Sequence, residues 1–173
     1  MTTQKPYKIL CVCLGNICRS PTAEVVLRHF AQQEQLPIVV DSAGTSNYHP
    51  NKAPDLRSQK HAMRRGYDLS SLRARQVRTD DFIEFDLILA MDFENLENLK
   101  VVQQSAVSEY GAHAVRAQLA LMSEQDPDYQ HQEVPDPYYG GDTGFEQVLD
   151  QCESNSRAWI HYLKQHLPAL AAE

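Results

Sequence analysis

The chain has 173 residues, 42% of them hydrophobic, and a formal net charge of −7 at pH 7, which suits a single domain over residues 1–173 and argues against binding to nucleic acid. No apolar run approaches the ~20 residues of a membrane span, and the N-terminus lacks the apolar stretch of a signal peptide. We therefore expect a cytoplasmic protein with reduced thiols that does not associate with membranes.

The N-terminal part of the chain predicts a strand, a helix and a second strand. Residues 7–12 form a short apolar run, which favours a buried strand. After a glycine-containing loop, Ser20 and Pro21 predict the N-cap and the first residue of a helix. Apolar residues at helical spacing continue this helix to about Gln35, and the second strand is expected to end near Asp41.

The middle of the chain repeats this alternation. Asp55 is expected to cap a helix that stops at Gly66, and the segment "TDDFIEF" predicts a short helix. Asp86–Met91 is the clearest buried strand, and Asp92 is the expected cap of the helix that follows.

The C-terminal part completes an α/β pattern. A strand is predicted at about Arg116–Met122, followed by a long polar loop over Ser123–Gly141 and an amphipathic helix from about Thr143. Strands that alternate with helices indicate a mostly parallel sheet covered on both faces. Ligands bind beyond the carboxyl ends of the strands in such sheets, which is where the segment "CLGNICRS" lies.

In this segment, Cys13 and Arg19 form a C-x5-R pattern with a plausible chemistry. A loop that closes onto a helix N-terminus turns backbone N–H groups inward and attracts an anion. Arg19 can bind two phosphate oxygens with its guanidinium. The same donors favour a Cys13 thiolate, which can attack phosphorus and form a phosphocysteine. The alternative is that Cys13 and Cys18 are small buried residues and Arg19 is a surface charge.

Two further patterns bear on the class of protein. The four cysteines and seven histidines show no zinc-ligand spacing, so no structural metal is expected. Residues 52–78 are rich in Lys and Arg, whereas residues 123–153 hold nine acids and no Lys or Arg. The two segments are interpreted either as solvated surfaces that attract one another or as a basic rim that attracts an anionic substrate.

The motif "CLGNICRSPTAE" resembles the signature C-x-G-N-x-C-R-S-P of the low-molecular-weight protein tyrosine phosphatases. "DSAGTS", "RARQV", "DLILAMD" and "VPDPYYGG" follow in that family's order. The resemblance implies one domain with a four-stranded parallel sheet flanked by helices on both faces, and a phosphate-binding loop between the first strand and the first helix. It implies no metal or organic cofactor. Phosphotyrosine proteins are the implied substrates, with a tyrosine autokinase as one candidate, and a monomer or weak dimer is expected.

The resemblance also assigns roles to individual residues. Cys13 matches the nucleophile, Arg19 the phosphate-binding arginine and Asp136 the general acid that later activates water. Asn16 matches a residue that shapes the loop, and Ser20 a hydroxyl that hydrogen-bonds the thiolate. The remaining expected substrate-binding residues are Leu14, Gly15, Ile17, Cys18, Tyr48, Tyr138 and Tyr139.

Three details of these segments lead to narrower expectations. Leu72 stands where some family members carry a histidine that supports the loop asparagine, so Asn16 is expected to be held by backbone or hydroxyl partners instead. Asp128 and Asp126, which precedes Pro127, are the internal competitors for the acid role, but both lack the "DPYYG" context. Family resemblance further suggests that Cys13 and Cys18 form a reversible disulfide under peroxide.

Three other functions are open at this point. Protein-arginine phosphatases resemble this chain, but that branch carries threonine before the second cysteine of the loop, where this chain has Ile17. A thiol-dependent arsenate reductase needs further cysteines, and Cys152 fits an apolar helix face. A catalytically inactive phosphate-binding module is the third alternative.

Overall fold

The structure, a computed structural model, describes residues 5–167. Its four strands form one parallel sheet in the order β2-β1-β3-β4, as predicted. The ends of the predicted domain, residues 1–4 and 168–173, lie outside the described residues. The strands are β1 (Tyr7–Cys13), β2 (Ile38–Gly44), β3 (Leu87–Ala90) and β4 (Gln118–Leu121).

Helices connect the parallel strands and cover both faces of the sheet. A parallel strand pair needs a crossover, and a helical crossover buries its apolar side on the sheet. The helices are α1 (Arg19–Gln33), α2 (Leu56–Met63), α3 (Asp81–Glu84), α4 (Phe93–Tyr110) and α5 (Asp142–His166). Within residues 5–167, no helix combines the length and the apolar composition that a membrane crossing requires.

The core divides into two layers on either side of β1. Successive side chains of a strand point to opposite faces. Ile9 and Cys11 therefore pack with residues of α1 and α5, whereas Leu10 and Val12 pack with residues of α3 and α4. Because both faces are covered, β1 is buried and apolar from Ile9 to Cys13 rather than alternating with polar residues.

The start of α1 differs from the prediction in a way that matters for the site. The helix begins at Arg19, its N-cap residue is Cys18, and no side chain caps it. Ser20 is therefore not the N-cap, and its hydroxyl is directed to the loop before the helix. The helix N-terminus thus leaves backbone N–H groups available for an anion. In addition, β2 continues three residues past the predicted end, to Gly44.

Two predicted helix caps are confirmed. The Asp55 carboxylate accepts a hydrogen bond from the N–H of Arg57 (2.8 Å), and Asp92 accepts one from the N–H of Asn95 (2.7 Å). Gly66 follows α2 with a φ of 87°, a left-handed conformation that favours glycine after a helix.

The basic and acidic segments contact each other between α2 and α5. The guanidinium of Arg65 lies 2.9 Å from a carboxylate oxygen of Glu146 and 2.9 Å from one of Asp150, and it also pairs with Glu153. This cross-attraction supports the first of the two interpretations of the charge pattern for Arg65.

Candidate active site

A cleft of about 290 Å³ opens at the carboxyl end of β1. This is the edge of the sheet at which α/β folds bind ligands. Ten of the twelve residues that the sequence suggested line the cleft, and His49 joins them. Asn16 and Ser20 lie behind the loop rather than on its surface. The lining residues are Cys13, Leu14, Gly15, Ile17, Cys18, Arg19, Tyr48, His49, Asp136, Tyr138 and Tyr139.

Cys13, the predicted nucleophile, lies at the base of the cleft and is 2% exposed. Its Sγ lies 3.1 Å from the hydroxyl of Ser20 and accepts a hydrogen bond from the N–H of Asn16 (3.2 Å). Both groups can donate to a thiolate, and the helix N-terminus adds a favourable potential for negative charge. The loop is therefore suited to holding sulfur as an anion.

A buried polar network behind the loop fixes the shape of that loop. Asn16 has a φ of 57°, a left-handed conformation that needs support from its surroundings. Its side-chain amide donates to the hydroxyls of Ser20 (2.8 Å) and Ser42 (3.0 Å), and its Oδ1 accepts the N–H of Arg75 (3.0 Å). Hydroxyl and backbone partners were expected for Asn16, because Leu72 stands where some family members carry a supporting histidine.

The network continues away from the loop through charged residues whose roles sequence reasoning missed. Ser42 donates to the carboxylate of Glu24 (2.7 Å), and burial raises the pKa of Glu24 although hydrogen bonds from Ser42 and Arg28 oppose it. The guanidinium of Arg75 is held by both oxygens of the fully buried Asp81 (3.0 and 3.1 Å). The motifs "DSAGTS" and "RARQV" contain Ser42 and Arg75 and were the only sequence signal for this network. Their spacing along the chain does not show which side chains Ser42 and Arg75 contact.

Arg19 is held against the opposite side of the cleft, and its side chain is only 4% exposed. Nη1 donates to the Asp92 carboxylate (2.7 Å) and to the carbonyl of Val134 (3.1 Å). Burial alone would lower the pKa of Arg19, but the charges of Cys13 and Asp92 outweigh it and raise that pKa. Asp92 was predicted only as a helix cap, and the structure gives it this second contact as well.

Asp136, the predicted general acid, lies between two prolines on the far wall of the cleft. Its Oδ1 accepts the N–H of Tyr138 (3.0 Å), and its Oδ2 lies 3.8 Å from Nη2 of Arg19. Pro135 and Pro137 restrict the backbone on both sides. Asp128 does not line the cleft, and its N–H donates to the buried Asp126.

The rest of the wall is aromatic, and its rim is exposed to solvent. Tyr48 is 71% exposed and Tyr139 is 92% exposed, and the rings of Tyr138 and Tyr139 meet edge to face at 4.9 Å. Such a wall can pack against an aromatic ring. Cys18 lies below it, and burial raises its pKa to about 12 although a hydrogen bond to Ser58 opposes the shift, so Cys18 stays a neutral thiol.

All four cysteines are buried free thiols. Among residues 5–167, no group of three or more His, Cys, Asp or Glu side chains is arranged to hold a metal ion. The cleft combines a thiol at an anion-binding loop, a buried guanidinium and a carboxyl group on the opposite wall. These are the parts that a cysteine-dependent phosphomonoester hydrolase requires.

Comparison with known proteins supports this class. The family model described as low molecular weight phosphotyrosine protein phosphatase matches residues 8–169. A Synechocystis protein named for the low molecular weight protein-tyrosine-phosphatases is 46% identical over 148 residues, which cover 84% of this chain and 89% of that protein. The chain therefore belongs to the low molecular weight phosphotyrosine protein phosphatase family.

Solved structures agree with the fold. A protein tyrosine phosphatase of Entamoeba histolytica superimposes with a TM-score of 0.81 at 37% identity, covering 92% of this chain and 98% of that one. A Drosophila arginine phosphatase superimposes with a TM-score of 0.82 at 28% identity, covering 91% and 98%. The same architecture thus occurs in proteins named for two different phosphorylated residues.

Proposed function

We propose that this protein hydrolyses the phosphate ester of phosphotyrosine in proteins through a phosphocysteine intermediate. The observation that carries the proposal is the position of Cys13 at the base of the loop, with Arg19 and Asp136 close together on the other side of the cleft. A phosphoryl group in the cleft would have its oxygens among the loop N–H groups and the Arg19 guanidinium. Those donors hold charge in the transition state.

The reaction has two steps that use the same carboxyl group. In the first, the Cys13 thiolate attacks phosphorus, the S–P bond forms and the P–O bond to tyrosine breaks. Asp136 gives its proton to the departing oxygen. In the second, the Asp136 carboxylate takes a proton from water, the water oxygen attacks phosphorus, and the S–P bond breaks. Inorganic phosphate leaves and the thiolate is restored.

The choice of tyrosine rests on the wall of the cleft. Ile17 precedes the second cysteine of the loop, the position at which the arginine-directed branch is expected to have threonine. Tyr48 and Tyr138 supply ring surfaces against which a phenyl ring can pack. Protein-arginine phosphatase activity is the second candidate, favoured by the similarity to the Drosophila structure. Phosphoproteins in the cytoplasm, a tyrosine autokinase among them, are the proposed partners of a monomer or weak dimer.

Replacement of Cys13 tests the proposal directly. We expect Cys13→Ser to lower turnover of p-nitrophenyl phosphate below roughly one part in a thousand, because members of a catalytic unit show losses of at least this order. Acid quench of the wild type should trap phosphate on Cys13. Cys152→Ala, which removes a thiol outside the cleft, should retain activity. Turnover that survives in Cys13→Ser would contradict the assignment.

Specificity needs a separate measurement. Phosphotyrosine and phosphoarginine peptides of the same sequence should be compared by kcat/KM, and we expect the wild type to favour phosphotyrosine. Preference for phosphoarginine would replace the first candidate function by the second. Capture of phosphoproteins by Cys13→Ser from the source cell would then identify the substrates.

A further inference from the structure

A chain of contacts joins the phosphate-binding loop to the loop that carries Asp136. The N–H of Asp55 donates to the carbonyl of Ile17 (2.8 Å). The Asp55 carboxylate accepts two hydrogen bonds from the guanidinium of Arg57, one from Nε (3.1 Å) and one from Nη2 (3.0 Å). The same Nη2 donates to the carbonyl of Tyr138 (2.9 Å), and the N–H of Tyr138 donates to Asp136 (3.0 Å).

Aromatic packing reinforces the Arg57 contact. The Arg57 guanidinium carbon lies 5.5 Å from the centroid of the Tyr138 ring and 4.8 Å from that of Phe145, within the range of cation–π attraction. Phe145 also stacks on His61, with an interplanar angle of 7° and 5.5 Å between centroids. Two helices, α2 and α5, thereby hold Arg57 beside the acid loop.

We propose that Arg57 is a positioning residue for the general acid. Of the two Asp136 oxygens, Oδ1 is occupied by the Tyr138 N–H, which turns Oδ2 toward Arg19 and the cleft. The direction of that N–H depends on the backbone angles of Tyr138. Arg57 restricts those angles because it holds the Tyr138 carbonyl. This inference rests on the proposed function, in which Asp136 protonates the leaving group.

The positive charge of Arg57 is paired with the Asp55 carboxylate. Arg57 is therefore expected to act by positioning the acid loop rather than by attracting the substrate phosphate directly. Burial alone would raise the pKa of Asp55, but hydrogen bonds from Arg57 outweigh it and the pKa lies below its ordinary value. Asp55 therefore stays ionised at neutral pH and pairs with the guanidinium. Arg57 then acts on the reaction through the Tyr138 backbone.

The test compares leaving groups. We expect Arg57→Ala to lower kcat/KM for phenyl phosphate about tenfold, a part of the ~10²–10⁴ that positioned proton transfer contributes. The loss with p-nitrophenyl phosphate should stay below about twofold, because its leaving oxygen needs less protonation. Lys52→Ala removes an exposed positive charge from the loop beside the cleft. This variant should leave kcat/KM unchanged for both substrates.

A double-mutant cycle adds a readout that a purely structural role would not give. If Arg57 works through the acid, Arg57→Ala should have no further effect on phenyl phosphate in an Asp136→Asn background. Asp55→Asn keeps a residue that can cap α2 but weakens the ion pair that holds the Arg57 guanidinium. The loss of kcat/KM in this variant should therefore show the same dependence on the leaving group. It replaces Arg57→Ala in the cycle if thermal melting shows that Arg57→Ala is unfolded.

The outcomes distinguish this inference from the proposed function. An equal loss with both substrates, or a full additional loss in the Asp136→Asn background, would overturn the positioning role and leave the phosphatase proposal standing. A wild-type protein that hydrolyses neither substrate would overturn both. A leaving-group-dependent loss that disappears in the double mutant would support Arg57 as the residue that orients the acid.

Discussion

Replacing Asp92 should disturb two contacts that can be separated by the choice of substitution. One carboxylate oxygen accepts the N–H of Asn95 at the start of α4, and the other accepts Nη1 of Arg19, each at 2.7 Å. Asparagine can still cap the helix but cannot offer a negative charge to Arg19. Alanine provides neither contact.

The expected magnitudes follow from these two contacts. A hydrogen bond to a charged group contributes about 1.5–3 kcal/mol, which corresponds to roughly 10- to 150-fold in rate at about 1.4 kcal/mol per factor of ten. We therefore expect kcat/KM to fall by this order in both Asp92→Asn and Asp92→Ala, because Arg19 is less well held. The cap contributes about 1 kcal/mol, so the alanine variant should melt about 2–4 °C below the asparagine variant.

Steady-state kinetics with p-nitrophenyl phosphate and thermal melting of the same samples provide both measurements. Asp68→Asn is a suitable control, because Asp68 is exposed and accepts only a local hydrogen bond from the N–H of Ser70 (2.9 Å). Activity within about threefold of wild type in Asp92→Ala would refute the idea that Asp92 holds Arg19 for phosphate. Equal melting temperatures for the two variants would refute the separation of cap and ion pair.

Two other changes test the acid and the second loop cysteine. Asp136→Asn should slow hydrolysis of phenyl phosphate by about 10²–10⁴-fold and should slow hydrolysis of p-nitrophenyl phosphate less. A larger effect of Asp128→Asn would show that the acid role was assigned to the wrong residue. After peroxide, dithiothreitol should restore the wild type but not Cys18→Ser, because we expect the Cys18 thiol to attack the Cys13 sulfenic acid, form a disulfide and release water. Equal recovery of both proteins, or a mass spectrum that joins Cys13 to Cys11, would argue against this protection.

The sequence by itself determined the elements that depend on local pattern. An apolar run, a glycine-containing loop and a helix start follow one another within residues 7–21, so the place of Cys13 at the end of a strand and of Arg19 near the start of a helix could be predicted without tertiary information. The caps Asp55 and Asp92 were found for the same reason, since a cap bonds to backbone two or three residues away. Asp136 was selected through family resemblance, because its flanking prolines alone do not show that a loop aspartate acts as a general acid.

Only the tertiary structure decided which polar groups meet across the fold. The local pattern made Ser20 a helix cap, whereas family resemblance assigned its hydroxyl to the Cys13 thiolate. In the structure that hydroxyl lies 3.1 Å from the Cys13 sulfur, because the loop curls back onto the first turn of α1. Asp92 meets Arg19 across 73 residues of chain, and Arg57 meets Tyr138 across 81. Periodicity shows which side of an element is buried, whereas the partner of a polar side chain is set only when the crossovers of the sheet bring remote segments within hydrogen-bond distance.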